Sequence, residues 1–186
     1  MNDHHLILGQ IEDFVTGRII DDTHDERYRQ KVARLLVETK GYERADIRSE
    51  QTIEVKAGQK SARVPVTFII EIDGRAAMLL QYGPGSLVTR HRPALALAKI
   101  VAPYQVPVVV VTNGEQADIL DGATGRITTS GLDGIPSKHQ LIQKSRLHSW
   151  APVSNLHAQM AARIVMAFEV DDRCPCDDTV CRLDQT

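Results

Sequence analysis

Four consecutive valines, Val108, Val109, Val110 and Val111, constrain this chain more than any other feature. Side chains alternate sides along a strand, so an all-valine strand must be covered on both faces and belongs inside a sheet flanked by helices. Such a strand normally pairs in parallel with a neighbour reached through a right-handed helical crossover. The segment just upstream supplies that helix: Pro93 falls where a first helical turn tolerates it, and Leu95, Leu97, Ala98 and Val101 form an apolar stripe that stops near Pro103. Before it, Asp73-Gly74 is a strong hairpin signal between two strand-like runs, residues 63–72 and 76–82. The second run is apolar enough to be buried on both faces. Thr52 to Lys56 alternates polar and apolar residues and Gly58 ends it, which predicts a strand. Thr23 and Glu26 have capping-box spacing, and Tyr28, Val32, Leu35 and Leu36 recur at helical intervals, predicting a helix over residues 25–40 that Gly41 stops.

Downstream, residues 117–120 and 126–129 read as a hairpin at the sheet margin, and residues 139–146 as a short helix. Asn155 is placed to cap a last helix, with Leu156, Met160, Ile164 and Phe168 on one face expected to pack on the core. With 186 residues, 42% of them hydrophobic, one substantial core is expected rather than two. The expected division is an N-terminal extension over 1–22, a core over 23–135, a helical segment packed on it over 136–170 and a cysteine-containing tail over 171–186. No run reaches membrane-spanning length, and the first residues carry Asp3, Glu12 and Asp13 rather than an apolar stretch, so no signal peptide or anchor is expected. Three cysteines, all late in the chain, cannot close into a full set of internal disulfides. A reducing compartment, the cytoplasm, is the expected location.

The order α-β-β-β-α-β resembles the core of the restriction-endonuclease-like, or PD-(D/E)xK, fold. The surrounding words resemble the N-terminal nuclease domain of type I restriction enzyme R subunits: a helix closing in Lys40-Gly41-Tyr42, the strand around Glu50, the Asp73-Gly74 hairpin, and residues 108–114 with Asp121-Gly122 beyond. The resemblance implies an α/β fold with a mixed central sheet, here with an extra C-terminal helix. It also implies a metal site made of an aspartate in the second core strand and Glu-x-Lys in the third, joined by a first-helix glutamate and a Gln-x-x-x-Tyr in the second helix. Phosphodiester hydrolysis needs Mg²⁺ held by anionic oxygens and a lysine beside the bound water.

Laid on this sequence, the aspartate position falls at Thr67, or at Pro65 with a one-pleat shift, and Glu-x-Lys falls on Gln81-Tyr82-Gly83. Glu26 matches the first-helix glutamate, and the second helix has neither the glutamine nor the tyrosine. A neutral amide and a glycine offer Mg²⁺ no charge and its water no amine. The expectation is therefore a catalytically degenerate domain with no cofactor. Its enzymatic alternative is a Mg²⁺-dependent endonuclease with a relocated site made of Asp46, Glu54 and Lys56 together with Glu26.

Gly83-Pro84-Gly85-Ser86 leads toward the second helix past Thr89, Arg90 and Arg92, a pattern suited to phosphate: amides freed by glycines, a helix N-terminus, hydroxyls and guanidinium groups. The bland reading is a tight turn with Thr89 as helix cap. Net charge is −2, so DNA or another phosphate-bearing ligand requires a local basic face. Arg44, Arg48, Lys56, Lys60 and Arg63 would supply it from the strands, and Lys138, Lys144 and Arg146 from later. Aromatic residues are only 4% of the chain, which argues against recognition of single strands by base stacking. Cys174, Cys176 and Cys181 are a weak zinc pattern, three thiols without a second pair. The remaining alternative is a protein-protein module docking through the basic strands or the last helix.

Overall fold

The computed structural model describes residues 6–171 and 181–182. It begins with a two-stranded antiparallel ribbon, β1 (Gly9–Glu12) and β2 (Ile19–Asp22), in the stretch expected only as an extension. Helix α1 (His24–Arg34) follows, with Thr23 Oγ1 accepting from the Glu26 amide at 3.1 Å, and runs into a π-helical turn over Leu35–Thr39. Gly41, at φ +76°, ends it, because a residue with a side chain rarely takes that conformation. A short turn at Arg44–Asp46 leads into β3 (Ile47–Ala57), β4 (Lys60–Ile72) and β5 (Arg75–Tyr82). Asp73 and Gly74, both at positive φ, make the tight hairpin between β4 and β5.

Helix α2 (Val88–Leu97) crosses to β6 (Val108–Thr112), which pairs in parallel with β5 in the register Leu80↔Val110. Antiparallel β7 (Ala117–Asp121) and β8 (Ile127–Ser130) complete the order β3-β4-β5-β6-β7-β8. Helices α3 (Lys138–Leu147) and α4 (Asn155–Met166) come last, and the two-residue β9 (Cys181–Arg182) pairs with β4 at Ala62 and Arg63. The chain is thus an α/β fold built on a mixed sheet in the α-β-β-β-α-β order.

Both faces of the central strands are covered. Val108 and Val110 lie with Ile70, Met78 and Leu80 against Val32 and Ala33 of α1 and Leu36 of the π-helical turn after it, while Val109 and Val111 join Leu79 under α2 and α4. Burying all four valines, each 3% exposed or less, stabilises the fold by roughly 1.5–3 kcal/mol per side chain.

Three local expectations are corrected. Helix α2 starts at Val88, so Pro93 lies in its interior and not in its first turn. Thr89 does not cap that helix, since its hydroxyl donates to the Ser86 carbonyl at 3.1 Å. The face of α4 turned to the core is made of Ala161, Ala162, Val165 and Met166, while Leu156 and Met160 are 66% and 52% exposed. The α2–α4 contact selects small residues because two helices approach closely only where their side chains are short.

Candidate functional site

The β4–β5 ladder ends at Phe68↔Leu80. Pro65 has no N–H to carry it further, and beyond this point side chains replace backbone pairing. The Thr67 amide donates to Gln81 Oε1 at 3.2 Å, Gln81 Nε2 donates to the Pro65 carbonyl at 3.1 Å, and the Tyr82 amide donates to Thr67 Oγ1 at 3.0 Å. Thr67 and Gln81 are 8% and 7% exposed, so these bonds satisfy groups that water reaches poorly. Both ends of the Gln81 amide are engaged with β4. The residues present do not fit Mg²⁺, because the positions that would hold it carry a committed amide, a hydroxyl accepting from backbone and a glycine. Among the described residues no three His, Cys, Asp or Glu side chains converge in a group able to hold a metal ion.

Gly83 follows directly, its amide donating to the Thr112 carbonyl at 3.0 Å and tying the loop to the end of β6. A Cβ at Gly83 would collide with the guanidinium of Arg90, which reaches back from the first turns of α2 and donates to the Pro84 carbonyl at 3.0 Å. A cation therefore lies against Gly83, the position where the resemblance implied a lysine, and it is delivered from the helix and not from the strand. Gly85, at φ +85°, lets the loop turn, and its carbonyl accepts from Asn113 Nδ2 at 3.4 Å. No side chain caps α2, whose Arg90 amide donates to the Leu87 carbonyl at 3.0 Å, and the exposed Ser86 lies just ahead of it.

Gly83, Gly85, Ser86, Thr89 and Arg90 are thus brought to one rim, at the carboxyl ends of the parallel strands β5 and β6. Arg92 is not. Two residues along a helix turn it about 200° from Arg90, and it stacks at 5.7 Å over Phe168 of the π-helical turn Ala167–Asp171. His91, between them, pairs with Asp118 at 2.9 Å.

The same rim holds residues that spacing could not reveal. Tyr82 donates its hydroxyl to Asp25 at 2.9 Å and Tyr28 donates to Glu115 at 3.1 Å, across 57 and 87 positions of sequence. Their rings lie 6.3 Å apart and 19° from parallel. Gly114 fits under Tyr28, where a Cβ would overlap the ring. Burial pushes the Tyr82 phenol up, the hydrogen bond and charge of Asp25 add to this, and Arg90 opposes it, so Tyr82 remains a protonated donor at neutral pH. Asn113-Gly114 was legible as the end of a strand, but nothing in the sequence tied it to Tyr28.

Glu26 is buried elsewhere. It accepts from Gln30 at 2.7 Å and pairs with Arg29 at 2.8 Å, while Gln30 also bonds Asp13 at 2.7 Å and the Phe14 amide at 2.6 Å. This network fastens the N-terminal ribbon to α1.

Asp46, Glu54 and Lys56 are not assembled into one site. Asp46 accepts from Lys138 at 2.7 Å and pins the start of α3, whereas Glu54 and Lys56 pair with each other at 2.9 Å in solvent. Seven residue steps along the strand, about 23 Å, separate Ile47 from Glu54. The basic set on the strands is largely engaged as well: Arg48 pairs with Glu71 at 2.8 Å and Arg44 stacks on Phe14 at 4.5 Å. Cys174 and Cys176 lie outside the described residues, and of Cys181 only the backbone is described, in β9. No described helix is long and apolar enough to cross a membrane.

Among known proteins, the family model described as type I restriction enzyme R protein N terminus matches residues 24–136, from the start of α1 to just before α3. No curated protein and no solved structure matches the chain.

Proposed function

The chain belongs to the family of type I restriction enzyme R protein N termini, and from that premise we propose that it is a member without metal-dependent cleavage, binding a nucleic-acid phosphate at the Gly83 loop. The observation that carries this reading is the pairing of Arg90 with Gly83. The carboxylates that would recruit Mg²⁺ are absent while a cation is retained beside the vacated lysine position, which converts a metal-centred site into an anion-centred one. The Ser86 hydroxyl and the N-terminus of α2, which no side chain caps, supply further donors for phosphate oxygens. Asp25 and Glu115, on the same rim, make its anion preference depend heavily on Arg90.

Titrating labelled duplex DNA into the protein at low and moderate salt tests the binding. A saturable isotherm that weakens steeply with salt and is largely lost in Arg90→Gln supports the reading. Equal binding by the variant, or none at low salt, removes the loop from the account. Incubation with plasmid in Mg²⁺ or Mn²⁺ tests the other half, and cleavage by pure protein would refute it.

A further inference from the structure

A second site lies away from the Gly83 rim and does not depend on how that rim is read. A cleft of about 650 Å³ runs along α1 and its π-helical turn, lined also by Ile11 and Glu12 of β1 and by Leu132. Its size is that of a ligand pocket. The π-helical turn Leu35–Thr39 contributes Leu35, Glu38 and Thr39, so the helix departs from regular winding where it lines the cleft. Such π-bulges in helices are frequent at functional positions.

The cleft is a trough. From Arg27 to Thr39 the lining helix rises about 18 Å, close to the length of five residues of extended chain. The lining strand is β1 and not β2, and β1 has β2 as its sole strand partner among the described residues, leaving one edge unpaired. Apolar side chains continue from that strand onto the surface, with Leu6, Ile7 and Leu8 at 69%, 58% and 40% exposure. An open strand edge beside exposed aliphatic residues is the setting in which a partner adds a strand.

Charge distinguishes the two ends. Arg27 is engaged by Asp22 at 2.6 Å and Arg34 stacks over Phe14 at 4.6 Å, whereas Lys31, one turn beyond Arg27, lies at 6.0 Å over Tyr28 without a carboxylate partner, and neither Glu38 nor Glu12 pairs with a cation, among the described residues. The positive end therefore lies toward the start of α1 and the negative end toward its π-helical turn. Asp22 is opposite Gly9 in the ribbon and bonds Arg27, while Asp13, just after β1, bonds Gln30, so β1 and α1 run the same way.

We propose that this cleft binds an extended peptide segment of a partner protein as a third strand antiparallel to β1, aliphatic at its centre, basic at its N-terminal end and acidic at its C-terminal end. The central side chains would enter the space over Leu35, and the two ends would meet Glu38 and Lys31.

The test uses the full chain and two labelled peptides, Lys-Val-Thr-Val-Glu and its charge-exchanged form Glu-Val-Thr-Val-Lys, followed by fluorescence anisotropy and by amide chemical shifts. The first should bind saturably with a Kd at or below about 1 mM and about threefold more tightly than the second, as expected for surface charge pairs. Its shifts should fall on β1 and on α1 with the turn after it. Lys31→Glu, at an exposed position, leaves each peptide one attraction and one repulsion and should abolish the preference, and Ile11→Lys should weaken both peptides. If Ile11→Lys fails to fold, Lys31→Glu and the shift map decide. No saturable binding, shifts elsewhere, or a preference unmoved by Lys31→Glu would overturn the proposal.

Discussion

Replacing Gln81 by glutamate restores the carboxylate of the family motif and tests whether that position now serves metal or sheet. In the native protein Gln81 accepts from the Thr67 amide and donates to the Pro65 carbonyl, at 7% exposure. An ionised carboxylate keeps the first bond but turns an oxygen toward the Pro65 carbonyl, leaving a poorly hydrated acceptor unpaired and two negative groups together. Losing that bond costs about 1–3 kcal/mol. The total is bounded, because at pH 7 the protein can protonate the new carboxyl for about 1.36 kcal/mol per pH unit above the ordinary glutamate pKa of about 4.3, or ~4 kcal/mol in all. Once protonated, the group donates to Pro65 as the amide did.

The sign follows directly. The folded-state pKa of the new carboxyl is raised, so Gln81→Glu should match the native protein below about pH 4 and lose stability progressively as pH rises toward 7. At neutral pH the deficit should be about 1–4 kcal/mol, or roughly 3–12 °C in Tm for a chain of this size. Urea unfolding of both proteins across pH 4–8, with and without millimolar Mg²⁺, measures it. A Gln81→Glu protein as stable as the native one at pH 7, or one strongly stabilised by Mg²⁺, would show that the splayed strands still form a metal site.

Gly83→Ala places a methyl group on the Arg90 guanidinium, the mobile end of a long side chain, so folding should cost less than about 1 kcal/mol while DNA affinity falls; equal affinity would separate Arg90 from binding. Gly122→Ala is the opposite case, since its Cβ would meet the Val106 carbonyl of the backbone, and a loss of at least about 1–3 kcal/mol is expected by thermal unfolding. For Asp13, burial would raise the carboxyl pKa, but hydrogen bonds from Thr16, Gln30 and the Val15 amide outweigh it and hold the folded value below 3.8. Its contribution is present above that value and fades as pH falls through the lower folded one. The stability difference between native protein and Asp13→Asn should therefore shrink in acid, and a difference independent of pH would contradict the network.

Much of the architecture was legible because it rests on local chemistry. Four valines in a row admit few environments other than a doubly covered strand, Asp73-Gly74 adopts the positive φ pair that a tight hairpin needs, and Thr23 offers an oxygen where a helix begins. The absence of charge at Thr67, Gln81 and Gly83 was equally plain, since it is a property of residue type. Pattern alone misjudged part of α4, where Ile164 packs on the core but Leu156 and Met160 face outward, because the close approach of α2 decided which face packs. It also missed the N-terminal ribbon, which is held by the buried Asp13–Gln30–Glu26 bonds and not by strand-like periodicity.

By itself, then, the sequence determined that Thr67, Gln81 and Gly83 carry no charge and which strands must lie inside, because charge and side-chain shape belong to each residue wherever it goes. Tertiary structure alone decided that the Gln81 amide would close the gap left by Pro65, that Arg90 would fold back over Gly83 while Arg92 turned away, and that Tyr28 and Tyr82 would meet over Gly114. Those outcomes depend on angles and distances between segments far apart in the chain, and no local pattern encodes them.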